Sequence, residues 1–186
     1  MMDHLIHNLL HHLDPDPNRE GLLDTPARVR KAWEFHTSGY TEDLGDLFTT
    51  FEDGASNYNE MVLVKDIPLY SHCEHHLEPF FGVAHVAYIP DGRIVGLSKI
   101  NRLVGSLSKR LQVQERLTRQ IVDVFNYYAE PIGVAAVLQC RHLCMESRGV
   151  CQKGHSTVTS ALVGAFTRIE VRQELFSLIG DLNKPV

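Results

Sequence analysis

The sequence predicts an α+β protein in which an antiparallel sheet carries a helix pair on one face, and three observations predict it. Apolar, β-branched runs fall near 60–71, 80–89, 133–146 and 156–166. Between the second and third of these, Leu111, Val113, Leu117, Ile121, Val124 and Tyr128 recur at helical spacing, after a shorter helical pattern near 99–108. A hairpin, a helix pair and a second hairpin, in the order ββααββ, bury most simply as helices laid on one face of an antiparallel sheet.

The elements follow in chain order. Leu5, Leu9, Leu10 and Leu13 space as one helical face, and Asp14-Pro15-Asp16-Pro17 stops that helix. Thr25-Pro26 restarts a helix, the hydroxyl capping it and the proline at its first position, and it runs to about His36. The polar, turn-rich stretch 54–59 divides a helical N-terminal region, 1–57, from a larger unit, 58–186. That unit opens with the strand-like run Met61 to Tyr70. Phe80 to Ile89 forms a second strand, interrupted by Gly82 and His85. Ser98-Lys99-Ile100-Asn101-Arg102 begins one helix, and Gln114-Glu115-Arg116 sits in the first turn of the next. Gly133 to Cys140 is apolar and β-branched, and the tail from 170 to 182 is a further amphipathic helix.

Composition excludes several classes. With 186 residues, 44% hydrophobic and 22% charged, the chain suits a soluble globular protein with one good core. No transmembrane span is expected, and a formal charge of -5 argues against nucleic acid as a general partner. The opening Met1-Met2-Asp3-His4-Leu5 lacks the basic and apolar segments of a secretion signal, so the thiols are expected to be reduced and the protein cytoplasmic.

Metal-ligand chemistry is concentrated in two places. Ser71-His72-Cys73-Glu74-His75-His76 is answered about seventy residues later by Cys140-Arg141-His142-Leu143-Cys144. Zinc takes thiolate and imidazole in tetrahedral geometry, and a catalytic site keeps three protein ligands with one open position. On a strand, Cys140, His142 and Cys144 project from one face, which does not decide which of them touch the metal. A closed structural site from Cys73, Cys140, Cys144 and Cys151 is the alternative, although only Cys140 and Cys144 approach the knuckle spacing such sites use. His4, His7 and His11 share a helical face but have no cysteine or carboxylate among them, so they are expected to be a surface stripe. Lys99, Arg102, Arg116 and Arg148 are cations near helix starts or the second cluster, where free amides and side-chain charge suit a polyphosphate. Each taken alone is equally a solvated surface charge.

Six motifs together resemble GTP cyclohydrolase I: Asp24-Thr25-Pro26-Ala27-Arg28-Val29, Cys73-Glu74-His75-His76, Gly96 to Arg102, Gln112 to Thr118, His142-Leu143-Cys144 and Ser156 to Ser160. The resemblance spans most of the chain. It implies a tunnelling-fold (T-fold) subunit, a homodecamer of two pentamers, and conversion of GTP and water to 7,8-dihydroneopterin triphosphate and formate, the first step of pterin biosynthesis. By motif it implies Zn2+ held by Cys73, His76 and Cys144. It makes His142 the proton-transfer residue, with His75 and Ser98 near the ribose. Glu115 would recognise the guanine N1 and 2-amino edge with Gln114 beside it, and Lys99, Arg102, Arg148 and Arg28 would hold the triphosphate.

That assignment makes chemical sense. Guanine C8 is a poor electrophile, so ring opening needs a strong nucleophile and a proton on N7. Zinc lowers the pKa of the water it binds toward about 7, and an imidazole gives and takes protons near that pH. Competing zinc chemistries fail on spacing. His72-Cys73-Glu74-His75 is neither peptidase motif, and the P-C-x-x-C half of a deaminase signature is absent. A T-fold protein acting on another purine-like ring, or a noncatalytic zinc-binding subunit, is the remaining rival.

Overall fold

Helix α1 (Met2–Leu13) ends where prolines can no longer supply backbone donors, and Asp14 closes the turn. Its Oδ1 accepts the Asp16 N–H at 3.0 Å and its Oδ2 a 3.0 Å bond from Arg19. Helix α2 (Thr25–His36) packs along α1, and Arg30 ties the two by bonding Asp3 at 2.8 Å and Glu34 at 2.9 Å. One expectation needs correction here. Asp24, not Thr25, occupies the capping position, and no side-chain cap bond forms. Ile6 is the buried residue of α1, whereas Leu5, Leu9 and Leu13 are exposed.

The computed structural model describes residues 1–52 and 58–182, so most of the predicted divide at 54–59 lies outside the described residues. Met1–Ser38 and Gly39–Val186 form two compact units. In the second, the strands are β1 (Thr50–Phe51), β2 (Val62–Cys73), β3 (Pro79–Ile89), β4 (Ile94–Val95), β5 (Leu111–Gln112), β6 (Gly133–His142) and β7 (Thr157–Gly164). The helices are α3 (Leu97–Ser108), α4 (Gln114–Ala129), the single turn α5 (Leu143–Glu146) and α6 (Ile169–Ile179). The main sheet has the order β5-β2-β3-β6-β7. Its pairs are antiparallel except for β2 with β5, and β1 pairs separately with β4. The region before 58, expected to be all helix, thus contributes one short strand.

Both faces of the sheet are covered, where a helix layer on only one was expected. Ile67, Leu69, Phe80, Val86, Tyr88 and Leu138 pack with Ile100, Leu103, Leu117, Ile121 and Phe125 of α3 and α4. Ala87, Ile89, Ala135 and Val137 face Phe166 and Leu175 and Ile179 of α6. Full burial of each valine, leucine, isoleucine or phenylalanine among them contributes about 1.5–3 kcal/mol. Two-sided burial explains why β6 is a continuous apolar run and not an alternating one.

A β-bulge in β2 sets which face the metal end uses. Val64 pairs with Val86, but Ile67 pairs with Ala84, so Lys65 and Asp66 stand where the partner strand spends one residue. Asp66 takes the extra step in left-handed backbone, φ 58°. Before the bulge the even residues Val62 and Val64 pack toward α3 and α4; after it the odd residues Ile67, Leu69 and Cys73 do. Gly82 brings β3 and β6 close at the same end. A Cβ there would run into the Gln139 carbonyl and stand 2.7 Å from the Cα of Cys140.

Candidate metal centre and substrate site

The β2–β3 turn folds two ligands onto each other. Cys73 ends β2, and the carbonyl of Cys73 accepts N–H bonds from His76 at 3.3 Å and Leu77 at 2.8 Å. Leu77 adopts φ 57° to close the turn. This brings His76 Nδ1 to 3.6 Å from Cys73 Sγ. The third ligand comes from the other hairpin. β6 stops at His142, and the chain turns at once into α5, which carries Cys144. The expected strand to 146 is therefore corrected, because Cys144 sits on a helical turn and does not share a strand face with Cys140.

The ligand atoms of Cys73, His76 and Cys144 lie within 4.8 Å of one another. A tetrahedral zinc with bonds of about 2.3 Å to sulfur and 2.05 Å to nitrogen needs about 3.5 Å between such atoms, and the Cys73–His76 separation meets it. Both thiols are buried and His76 is exposed, so the group opens to solvent on the imidazole side. Burial, then the neighbouring Cys73 thiol, pushes the Cys144 thiol up. A cation between them would relieve both effects. Cys140 is excluded from the group. It is fully buried in the core, with its thiol pushed up to about 12 by burial, and Cys151 is exposed.

His142, two residues before Cys144, is held in a defined state. Its ring stacks on Phe80 at 4.8 Å, and its Nε2 is 2.7 Å from Gln114 Oε1. The Gln114 amide nitrogen faces three acceptors, Leu138 O at 3.2 Å, Thr157 O at 2.9 Å and Thr159 Oγ1 at 3.0 Å. Its carbonyl oxygen must then point at His142. A carboxamide oxygen only accepts, so Nε2 carries the proton and Nδ1 keeps the lone pair. Burial holds the His142 pKa below its ordinary value, partly opposed by nearby Glu115. Gln114 itself is buried, so its side chain holds His142 where the resemblance had put it beside the base.

Two ion pairs brace the two ligand segments. Arg116 forks onto Glu74, next to Cys73, and also donates to Gln112 Oε1 at 3.1 Å and Leu111 O at 3.1 Å. The Glu74 N–H bonds Gln112 O at 3.0 Å. Arg141 grips buried Glu146 at 2.6 Å across α5. Arg116, weighed as a phosphate cation, is spent on the metal turn. Sequence reasoning passed over Glu74, Thr159 and Thr118, whose hydroxyl lies 2.7 Å from Thr159 Oγ1; only their place inside the matching motifs marked them.

The other expected residues divide by position. His75 is exposed beside His76, with ring centroids 6.1 Å apart. Exposed Arg148 lies within electrostatic reach of Cys144, and Glu115 within that of His142. Ser98, Lys99 and Arg102 are elsewhere. Gly96 and Leu97, just before them, line a cavity with Val62 and Tyr88, and Val95 N–H donates to Tyr88 Oη at 2.9 Å. Val62 and Cys73 are opposite ends of a twelve-residue strand, roughly 35 Å apart at about 3.3 Å per residue. Arg28 belongs to the first unit, paired with Asp24 at 3.0 Å.

Comparison with known proteins adds the decisive observation: the family model for GTP cyclohydrolase I matches residues 2–180. The chain belongs to the GTP cyclohydrolase I family. It is 54% identical over 171 residues to a GTP cyclohydrolase 1 of Janthinobacterium sp. (strain Marseille), covering 91% of this chain and 86% of that one. Against the Nitrosospira multiformis GTP cyclohydrolase 1 the figures are 50% over 171 residues, 91% and 90%. Against that of Campylobacter jejuni subsp. doylei they are 51% over 177 residues, 95% and 93%. The chain is thus an enzyme of GTP cyclohydrolase I type, with Cys73, His76 and Cys144 positioned to bind a metal. Among the described residues no helix is long and apolar enough to cross a membrane.

Proposed function

We propose that the protein opens the imidazole ring of GTP with water, releases formate and closes the product to 7,8-dihydroneopterin triphosphate, using Zn2+ at Cys73, His76 and Cys144. The observation that carries this is the convergence of those three side chains, with a tautomer-fixed His142 two residues before Cys144. When bound, the metal supplies an activated water at neutral pH. His142, neutral at rest, takes a proton at Nδ1 and delivers it to guanine N7, and Gln114 keeps the ring turned for that exchange. Glu115 offers two acceptor oxygens to the N1–H and 2-amino donors of the base. Lys99, Arg102, Arg148 and Arg28 hold the triphosphate, and His75 and Ser98 serve the proton transfers that open and rearrange the ribose.

In a chain folded this way Cys73 lies at one end of β2, and Gly96 and Leu97, which precede Ser98, Lys99 and Arg102, lie against Val62 at the other. No lysine side chain spans that gap. The reading therefore includes a neighbouring copy that brings Ser98, Lys99 and Arg102 to the metal end, in a cytoplasmic homodecamer of T-fold subunits with the ββααββ order. Residues 58–186 are its catalytic unit, following the helical region 1–57. Incubating zinc-loaded protein with GTP should release formate and yield oxidisable, fluorescent neopterin triphosphate, and Cys144→Ala should lose both. Zinc-loaded protein that forms neither product would instead be a noncatalytic subunit or act on another purine-like ring.

A further inference from the structure

Two of the imidazoles on α1 point at each other. His7 and His11 are one turn apart, with Nε2 atoms at 3.1 Å and rings edge to face at a centroid distance of 4.6 Å. Side chains at i and i+4 share a helix face, but the spacing alone leaves imidazole tips free to diverge; here they converge. One Nε2–H donates to the lone pair of the other, so a cation taking the place of that shared proton meets two nitrogen donors already gathered.

The separation suits a metal. Bonds of about 2.05 Å to nitrogens 3.1 Å apart close at an angle of about 98°, between about 90° for square-planar or octahedral sites and about 109° for tetrahedral ones. Both side chains are exposed, so small rotations bring the two lone pairs to one point at little cost. The neighbouring groups are otherwise engaged. His4 Nδ1 is 3.4 Å from Asn8, and Asp3 bonds Arg30 at 2.8 Å. At 3.6 residues per turn the His7–His11 stripe lies on the side of α1 opposite exposed Leu5, Leu9 and Leu13. A partner covering the leucines would leave the imidazoles in water.

We propose that His7 and His11 form a second metal site, a bidentate surface chelate for a divalent transition ion of imidazole-preferring type such as Ni2+, Cu2+ or Zn2+, separate from the Cys73–His76–Cys144 centre. Water completes its coordination. Nickel is the probe of choice, since it prefers imidazole and brings no redox chemistry to the thiols.

Zinc-loaded full-length protein, dialysed to equilibrium against Ni2+ with both metals counted, should hold one Ni2+ per subunit in addition to the zinc it retains. His11→Ala should weaken that uptake on the order of tenfold or more, because a second ligand tethered nearby is what raises the affinity of the first. Alanine favours helix at this exposed position, and His7→Ala repeats the test from the other donor. His12→Ala, off the shared face, should leave uptake unchanged. The proposal is overturned if the zinc-loaded protein takes up no Ni2+, if uptake is matched by zinc loss, if His11→Ala and His7→Ala bind as well as the parent, or if His12→Ala weakens binding equally.

Discussion

At the scale of single residues, the site is decided by which polar atoms have been used up. Gln114 gives its oxygen to His142 and its nitrogen to three acceptors, which in the proposed mechanism makes it a positioning residue for His142. Gln114→Leu, which can neither accept nor donate, should lower kcat about 10–100-fold, as loss of an orienting partner does, while KM for GTP holds. A rise in KM with unchanged kcat would return Gln114 to the guanine. His85 is a different case. It is buried on β3, its Nδ1 accepts the Asp66 N–H at 3.2 Å, and its Nε2 has no hydrogen-bond partner among the described residues. Burial lowers its pKa from the ordinary 6.5, against the opposing pull of Asp66. The unfolded chain then binds the proton more readily, so this stability contribution is complete above 6.5 and is lost as pH falls below it. His85→Gln keeps an acceptor for Asp66 without titrating, and denaturant midpoints measured across that range should fall less steeply in acid than the parent's. An identical acid slope would show that His85 does not govern it.

At the scale of elements, the site depends on where strands stop. Glu74 joins the β2–β3 turn to the start of α4 through Arg116, while Gln112 of β5 pairs beside Cys73. Glu74→Gln should therefore release zinc to a chelator faster and weaken its binding about 10–100-fold, with the fold intact by circular dichroism. Zinc retention equal to the parent's would make the ion pair ornamental to the centre. Much of this layer was legible in the sequence. The long strands and the helices at 97–108 and 114–129 follow from apolar runs and spacing that burial enforces. The metal ligands were legible as clusters, but spacing alone could not choose between Cys140 and Cys144. The reason is α5, a turn of four residues too short to show a period, which rotates Cys144 out of the strand's alternation. The face covered by α6 was missed because two-sided burial erases the alternation that would have announced it. The leucine spacing in α1 announced the helix correctly but not its exposure, because such spacing is helical whether or not a chain buries it.

At the scale of the whole molecule, the proposed function requires assembly, because Cys73 and the start of α3 lie toward opposite ends of β2. Mixed oligomers made from Cys144→Ala and Lys99→Ala chains should recover activity that neither homomer has, because a site built from one copy's ligands and another's lysine can be intact in the mixture. Verified mixed assemblies that stay inactive would mean that each chain completes its own site. The β2 bulge has a different reach. Since Asp66 reverses the alternation of β2, and Cys73 faces inward only because of that reversal, the length of this strand is fixed twice over. Between the bulge and Cys73, a gain or loss of one residue turns the terminal thiol to the α6 side. A change of two restores the face but carries the thiol about 7 Å along the strand, out of the 4.8 Å cluster it forms with His76 and Cys144, so only substitutions leave the centre whole.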